Sequence, residues 1–102
     1  MNENNALVVF QDKKIRRTWF NDEWWFSVVD IIEALAESNN PRNYWNMLKT
    51  RELDHGIELS TFCVQLKLPS VDGKLYETDC ANTQSMFRII QSIPSPKAEP
   101  FK

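Results

Sequence analysis

With 102 residues, 42% of them hydrophobic and 25% charged, the chain has the size and composition of one globular domain, able to bury roughly 60 to 70% of its unfolded surface without disulfides or metal. No apolar run approaches the roughly 20 residues that a bilayer-spanning helix needs. The N-terminus, Met1-Asn2-Glu3-Asn4-Asn5, lacks the basic and apolar regions of a secretory signal, so a cytoplasmic protein with no membrane partner is expected. A net charge of −2 and a pI near 5.3 weigh against a general polyanion binder. Nucleic-acid contact would require the twelve Lys and Arg to be segregated in space from the fourteen Asp and Glu.

Residues 1–6 read as a disordered tail, and the domain is expected over residues 7–94. Leu7 to Phe10 suits a short strand, and Asp12-Lys13-Lys14 a polar turn into a second strand ending near Phe20. Asn21-Asp22-Glu23 turns the chain into a third strand over residues 24–26, giving a three-stranded meander. Ser27 to Asp30 has the form of a capping box, with the serine hydroxyl accepting from a first-turn N–H and the Asp30 carboxylate reaching back. Val28, Ile31, Ile32 and Leu35 then fall at i, i+3, i+4, i+7, an apolar helix face that leaves Glu33 and Glu37 outside.

Asn40-Pro41 opens a second helix, with a capping residue followed by proline where its missing N–H costs nothing. This helix should run to about Arg51. Tyr44, Trp45 and Leu48 form its buried side; Arg42, Asn46 and Lys49 align on another face, with Asn43 and Thr50 at the margin. Asp54-His55-Gly56 begins a loop. Residues 61–80 read as a hairpin whose tip is Ser70-Val71-Asp72-Gly73-Lys74. With Gly73 in the left-handed position of a three-residue loop, Leu68 opposes Tyr76, Leu66 opposes Thr78, Val64 opposes Cys80 and Lys67 opposes Glu77. Thr83 is expected to cap a third helix carrying Met86, Ile89, Ile90 and Ile93 at helical spacing. Residues 95–102 look like the start of a truncated helix or a linker. The fold class is therefore α+β, a small antiparallel meander and a hairpin packed with three helices.

Catalytic and metal chemistry are the easiest to set aside, and no cofactor is expected. His55 stands alone without a nucleophile motif, Cys63 and Cys80 are not in C-x-x-C spacing, and Gly56 and Gly73 form no phosphate-cradling run. The polar face of the second helix is the sharper signal. Asn43 and Asn46 can pair with base edges, while Arg42, Lys49 and Arg51 can hold phosphates. The plainer reading of the same residues is an ordinary solvent face. Arg16 and Arg17 point to opposite sides of a strand, and Arg16 is expected to be the exposed one because Arg17 shares its face with Ile15 and Trp19. Trp19, Trp24, Trp25 and Phe26 are either stacking platforms or core.

The order of blocks Ile15-Arg16-Arg17, Trp24-Trp25-Phe26-Ser27-Val28-Val29-Asp30-Ile31, Asn40-Pro41-Arg42, the hairpin and the segment from Asn82-Thr83 to Phe101-Lys102 resembles the Bro-N domain. That domain is the N-terminal module of phage and prophage antirepressors and of baculovirus repeated-ORF proteins. The resemblance implies a DNA-binding module of transcription regulation, with Arg16, Arg42, Asn43, Asn46, Lys49 and Arg51 as candidate contacts to double-stranded DNA. It leaves as an alternative a protein-interaction module that binds a repressor or oligomerises the parent protein. Family members usually continue past Lys102, so the chain reads as a domain of a longer protein.

Overall fold

The structure, a computed structural model, describes the backbone of residues 7–10 and all of residues 13–102. The expected tail over residues 1–6 lies outside the described residues. Strands β1 (Leu7–Phe10), β2 (Lys13–Phe20) and β3 (Glu23–Ser27) lead into helices α1 (Val28–Ala36) and α2 (Pro41–Asp54). A 3-10 turn, Leu59–Phe62, precedes β4 (Val64–Pro69) and β5 (Leu75–Asn82); α3 (Thr83–Gln91) and a last 3-10 turn, Glu99–Phe101, follow. The meander and the hairpin are joined in one antiparallel sheet of order β1-β2-β3-β5-β4. The α+β class holds, with three helices and this sheet.

Local chemistry accounts for both hairpins. Asn21 and Asp22 take left-handed φ of 51° and 62°, the primed turn that matches strand twist, and so set Trp19 opposite Trp24. At the other tip Gly73 has φ of 84°, its N–H donates to Ser70 O at 2.9 Å, and the Ser70 N–H donates to Lys74 O at 2.8 Å. The register is the expected one: Val64 opposite Cys80, Leu66 opposite Thr78, Lys67 opposite Glu77, Leu68 opposite Tyr76. The hairpin starts later than residue 61 because the 3-10 turn occupies that stretch.

The apolar stripes of α1 and α3 meet over one region of the sheet. Val28, Ile31, Ile32 and Leu35 pack with Met86, Ile89, Ile90 and Ile93, with Trp45 and Leu48 of α2, and with Ile15 and Ala81 of the sheet. Each such side chain contributes about 1.5–3 kcal/mol on burial. A second, smaller cluster holds Trp25, Leu68 and Cys80.

Two local expectations change. Ser27 Oγ accepts from the Asp30 N–H at 3.4 Å, but the Asp30 carboxylate turns to Arg16 instead of closing the box. The cap of α3 is Asn82, whose Oδ1 accepts from the Ser85 N–H at 2.9 Å, and Thr83 is already helical because β5 runs into the helix without a loop. Packing also continues beyond residue 94. Ser95 and Ala98 are buried, and Ser95 Oγ donates to Leu35 O, a carbonyl left unpaired at the end of α1. Residues 96–98 form a turn and Glu99–Phe101 the last 3-10 turn, which close over the core.

Candidate nucleic-acid interface

Helix α2 starts where sequence chemistry places it. Asn40 Oδ1 accepts from the Asn43 N–H at 3.1 Å, and Pro41 occupies the first turn. Trp45 and Leu48 anchor the inner side, so Arg42, Asn43 and Asn46 are left exposed. Between this helix and the β4–β5 hairpin lies a cleft of about 870 Å³, lined by Arg16, Arg42, Asn46 and Lys49 on one side and by Asp72, Tyr76, Glu77 and Asp79 on the hairpin. Four of the six candidate residues therefore converge. Asn43 faces solvent beside the cleft, and Arg51 leaves the group: its Nη2 donates to Ser92 O at 2.6 Å and its Nε lies 3.4 Å from Glu52 Oε2. The arginine thereby satisfies a carbonyl past the end of α3 and pins α2 to it.

The cations within the cleft differ sharply in freedom. Arg42 makes no ion pair or side-chain hydrogen bond among the described residues and sits on the first turn of α2, where the helix dipole adds to its positive potential. Lys49 Nζ lies 3.5 Å from Asp79 Oδ2 and 5.1 Å from the centre of the Trp45 ring. Asp79 is the organising acid here. Trp45 Nε1 donates to it at 2.8 Å and Gln65 Nε2 at 3.1 Å. Burial acts to raise the Asp79 pKa, but the bonds from Trp45 and Gln65 and the charge of Lys49 outweigh it and hold the carboxyl below its ordinary value. Linear sequence concealed this acid; its only trace was the register, which places Asp79 opposite Gln65 on the face shared by Lys67 and Glu77.

Arg16, read from the sequence as the exposed arginine of its pair, is half-buried: its Nε and Nη2 donate to the two Asp30 carboxylate oxygens at 2.8 and 2.9 Å, and its backbone N–H donates to Oδ2 at 2.9 Å. Nη1 donates to Pro69 O at 3.1 Å, so one side chain bolts β2 to the start of α1 and to the end of β4. The physical reason is Asp30: a carboxylate at a helix N-terminus, only 13% exposed, demands a partner, and the bidentate guanidinium meets that demand. Arg17 is half-buried too, its guanidinium 3.8 Å over the Trp24 ring. Both arginines are committed to the fold.

The remaining aromatic and thiol groups sort just as clearly. Trp25 is buried and its Nε1 donates to Phe20 O at 2.9 Å, whereas Trp19 is 57% exposed. Burial pushes the Cys63 thiol up to about 12 and Cys80 to about 11, leaving both protonated and poor nucleophiles near neutrality. His55 Nδ1 lies 3.0 Å from Arg51 O at the end of α2. Among the described residues no group of His, Cys, Asp and Glu is arranged to hold a metal, and no helix is long and apolar enough to cross a membrane.

No curated protein and no solved structure matches the chain. Residues 14–102, from the second residue of β2 through the final turn, match the family model described as the BRO family, N-terminal domain, and the chain belongs to that family.

Proposed function

We propose that this is the DNA-binding regulatory module of a prophage-type antirepressor or a related cytoplasmic transcription regulator, non-catalytic in itself, that meets duplex DNA with the outer side of α2. Family membership supports the regulatory class. The observation that carries the DNA contact is the exposed row Arg42, Asn43 and Asn46, whose side-chain donors are not committed to any described residue of the fold. Arg42 would hold a phosphate, Asn43 and Asn46 would present amides to base edges, and Lys49 would add a second phosphate contact by exchanging Asp79 for the backbone. Arg16 and Arg51 act as braces that fix the sheet and α2, not as contacts.

The test is an anisotropy titration of duplex DNA at about 50 and 200 mM salt. Arg42→Glu combined with Lys49→Glu should weaken binding and flatten the slope of log K against log salt by about 2, one phosphate contact each. A slope identical to that of the wild type removes this face from the interface.

A second reading has one specific observation behind it. Three of the six candidate cations and amides are already paired with acids, Arg16 with Asp30, Lys49 with Asp79 and Arg51 with Glu52. A cleft balanced in charge suits a protein segment, such as part of a repressor or a second copy of the parent protein. Under that reading the double variant loses its protein partner while its DNA affinity, if any, is unchanged.

A further inference from the structure

The outer side of α2 carries an apolar group that phosphate contacts leave unexplained. Around the helix axis Asn43, Asn46, Met47 and Thr50 fall at i, i+3, i+4 and i+7. They form one stripe turned away from the buried Trp45 and Leu48, and all four are exposed. At the centre of the stripe Met47 is 54% exposed, a flexible and polarisable side chain among polar ones. Asn43, Met47 and Thr50 lie outside the lining of the cleft, and so away from the acids Asp72, Glu77 and Asp79 of the hairpin wall.

Among the described residues Asn43 and Asn46 enter the hydrogen bonds of the fold only through their backbones, so each side-chain amide keeps a donor and an acceptor side by side. Thr50 Oγ1 donates to Asn46 O at 3.1 Å, which uses its proton within the helix. From Asn43 to Thr50 the stripe is neutral, and it spans about 10 Å, or about three base steps of 3.4 Å. Its two ends differ in charge. Arg42 stands in the first turn beside the positive end of the helix dipole, whereas Asp54 follows Thr50 by one turn, about 16 Å along the axis from Asn43.

Resting on the reading of α2 as the DNA contact, we propose that this stripe selects A·T base pairs in the major groove, with Met47 packed on a thymine methyl and the Asn43 and Asn46 amides on adenines. Adenine offers N6–H and N7, the one donor and one acceptor that an amide pairs with at once, and thymine alone carries a methyl group for an apolar side chain to cover. Guanine offers two acceptors, which repel the amide oxygen, and beside it cytosine has no methyl for Met47. Asn43 and Met47, one turn apart, are about 5–6 Å from each other at Cβ, a spacing that reaches neighbouring base pairs. The helix enters the groove N-terminal end first, which brings Arg42 to the phosphates and keeps Asp54 outside.

The experiment titrates the whole chain into three short alternating duplexes, followed by anisotropy: A·T; A·U, which lacks only the thymine methyls; and I·C, which shows the guanine pattern in the major groove without the minor-groove amino group. Binding to A·T should be about fourfold tighter than to A·U, the worth of one covered methyl, and about tenfold or more tighter than to I·C. Met47→Ala should abolish the difference between A·T and A·U with the salt slope unchanged, and Met47→Leu should keep it. Leu53→Ala, which removes the other exposed large apolar side chain of α2, should leave it intact. Asn43→Ala with Asn46→Ala should bring A·T down towards I·C. Circular dichroism establishes that each variant is folded. The inference falls if A·T and A·U bind alike, if their difference survives Met47→Ala, or if I·C binds as tightly as A·T; a salt slope flattened by Arg42→Glu with Lys49→Glu would in each case leave the α2 contact standing. If none of the three duplexes binds, that contact falls and this inference with it.

Discussion

Asp79→Asn should make the domain bind DNA more tightly while making it less stable. In the wild type, Asp79 sits between Lys49, 3.5 Å away, and the donors Trp45 Nε1 and Gln65 Nε2, so the lysine is neutralised inside the cleft. An asparagine retains one acceptor for the Trp45 N–H and releases the ammonium. Lys49 then meets phosphate without first giving up an ion pair worth about 0.5–1 kcal/mol, an affinity gain of about two- to fivefold with the salt slope little changed. The cost is an ion pair whose side chains are 29% and 20% exposed, about 0.5–1 kcal/mol. Weakening the hydrogen bonds to a charged acceptor brings the loss to about 1–2 kcal/mol in all. For a domain of this size that lowers Tm by roughly 5–15 °C, so titrations belong well below the new transition. Asp54→Asn, at the far end of α2, removes the same charge without touching Lys49 and should produce a smaller gain. If folded Asp79→Asn shows no higher affinity, Lys49 does not reach phosphate and the α2 face is not the DNA contact.

Because the Asp79 pKa is lowered in the folded state, its contribution to stability is full above the unfolded Asp value of about 3.9 and disappears as pH falls through the folded value; urea titrations from neutral to acid pH should show a wild-type loss that is smaller in Asp79→Asn. Asp30→Ala strips three acceptor contacts from Arg16 and leaves a guanidinium only 23% exposed without its counter-charge, so equilibrium urea unfolding should show a loss of about 2–4 kcal/mol; under 1 kcal/mol would mean the brace is slack. Cys63 and Cys80, with pKa values pushed up to about 12 and 11 by burial, should react with a disulfide reagent near pH 8 far more slowly in the folded protein than in denaturant, and equal rates would contradict their burial.

Much of the fold was legible because its determinants act over a few residues. The i, i+3, i+4, i+7 stripe of α1 and α3 reports which side of each helix is covered, and every member of both stripes is buried. Gly73 and the sorting of Leu66, Leu68 and Lys67 against their partners specify the β4–β5 register, since a slip of one residue would turn each side chain to the wrong face. Caps were readable to within one residue. Asn82 displaced Thr83 because two residues able to cap stood side by side, and the length of β5 decided between them. The site was legible in part: the alignment of Arg42, Asn46 and Lys49 on one side of α2 is helical geometry and holds in the cleft. Their chemical state was not, because it depends on acids 14 residues away for Arg16 and 30 away for Lys49.

By itself, then, the order of residues determined the elements, their apolar faces, the two tight turns and the α2 row of amides and cations, all consequences of backbone sterics and short-range periodicity. Only the tertiary structure decided that β3 pairs with β5 and that Asp30 claims Arg16. It also decided that Asp79 restrains Lys49 and that Arg42 remains free. Electrostatic partnership is a matter of distance in space, and burial makes each carboxylate seek the nearest cation that packing brings to it, wherever that cation lies in the chain.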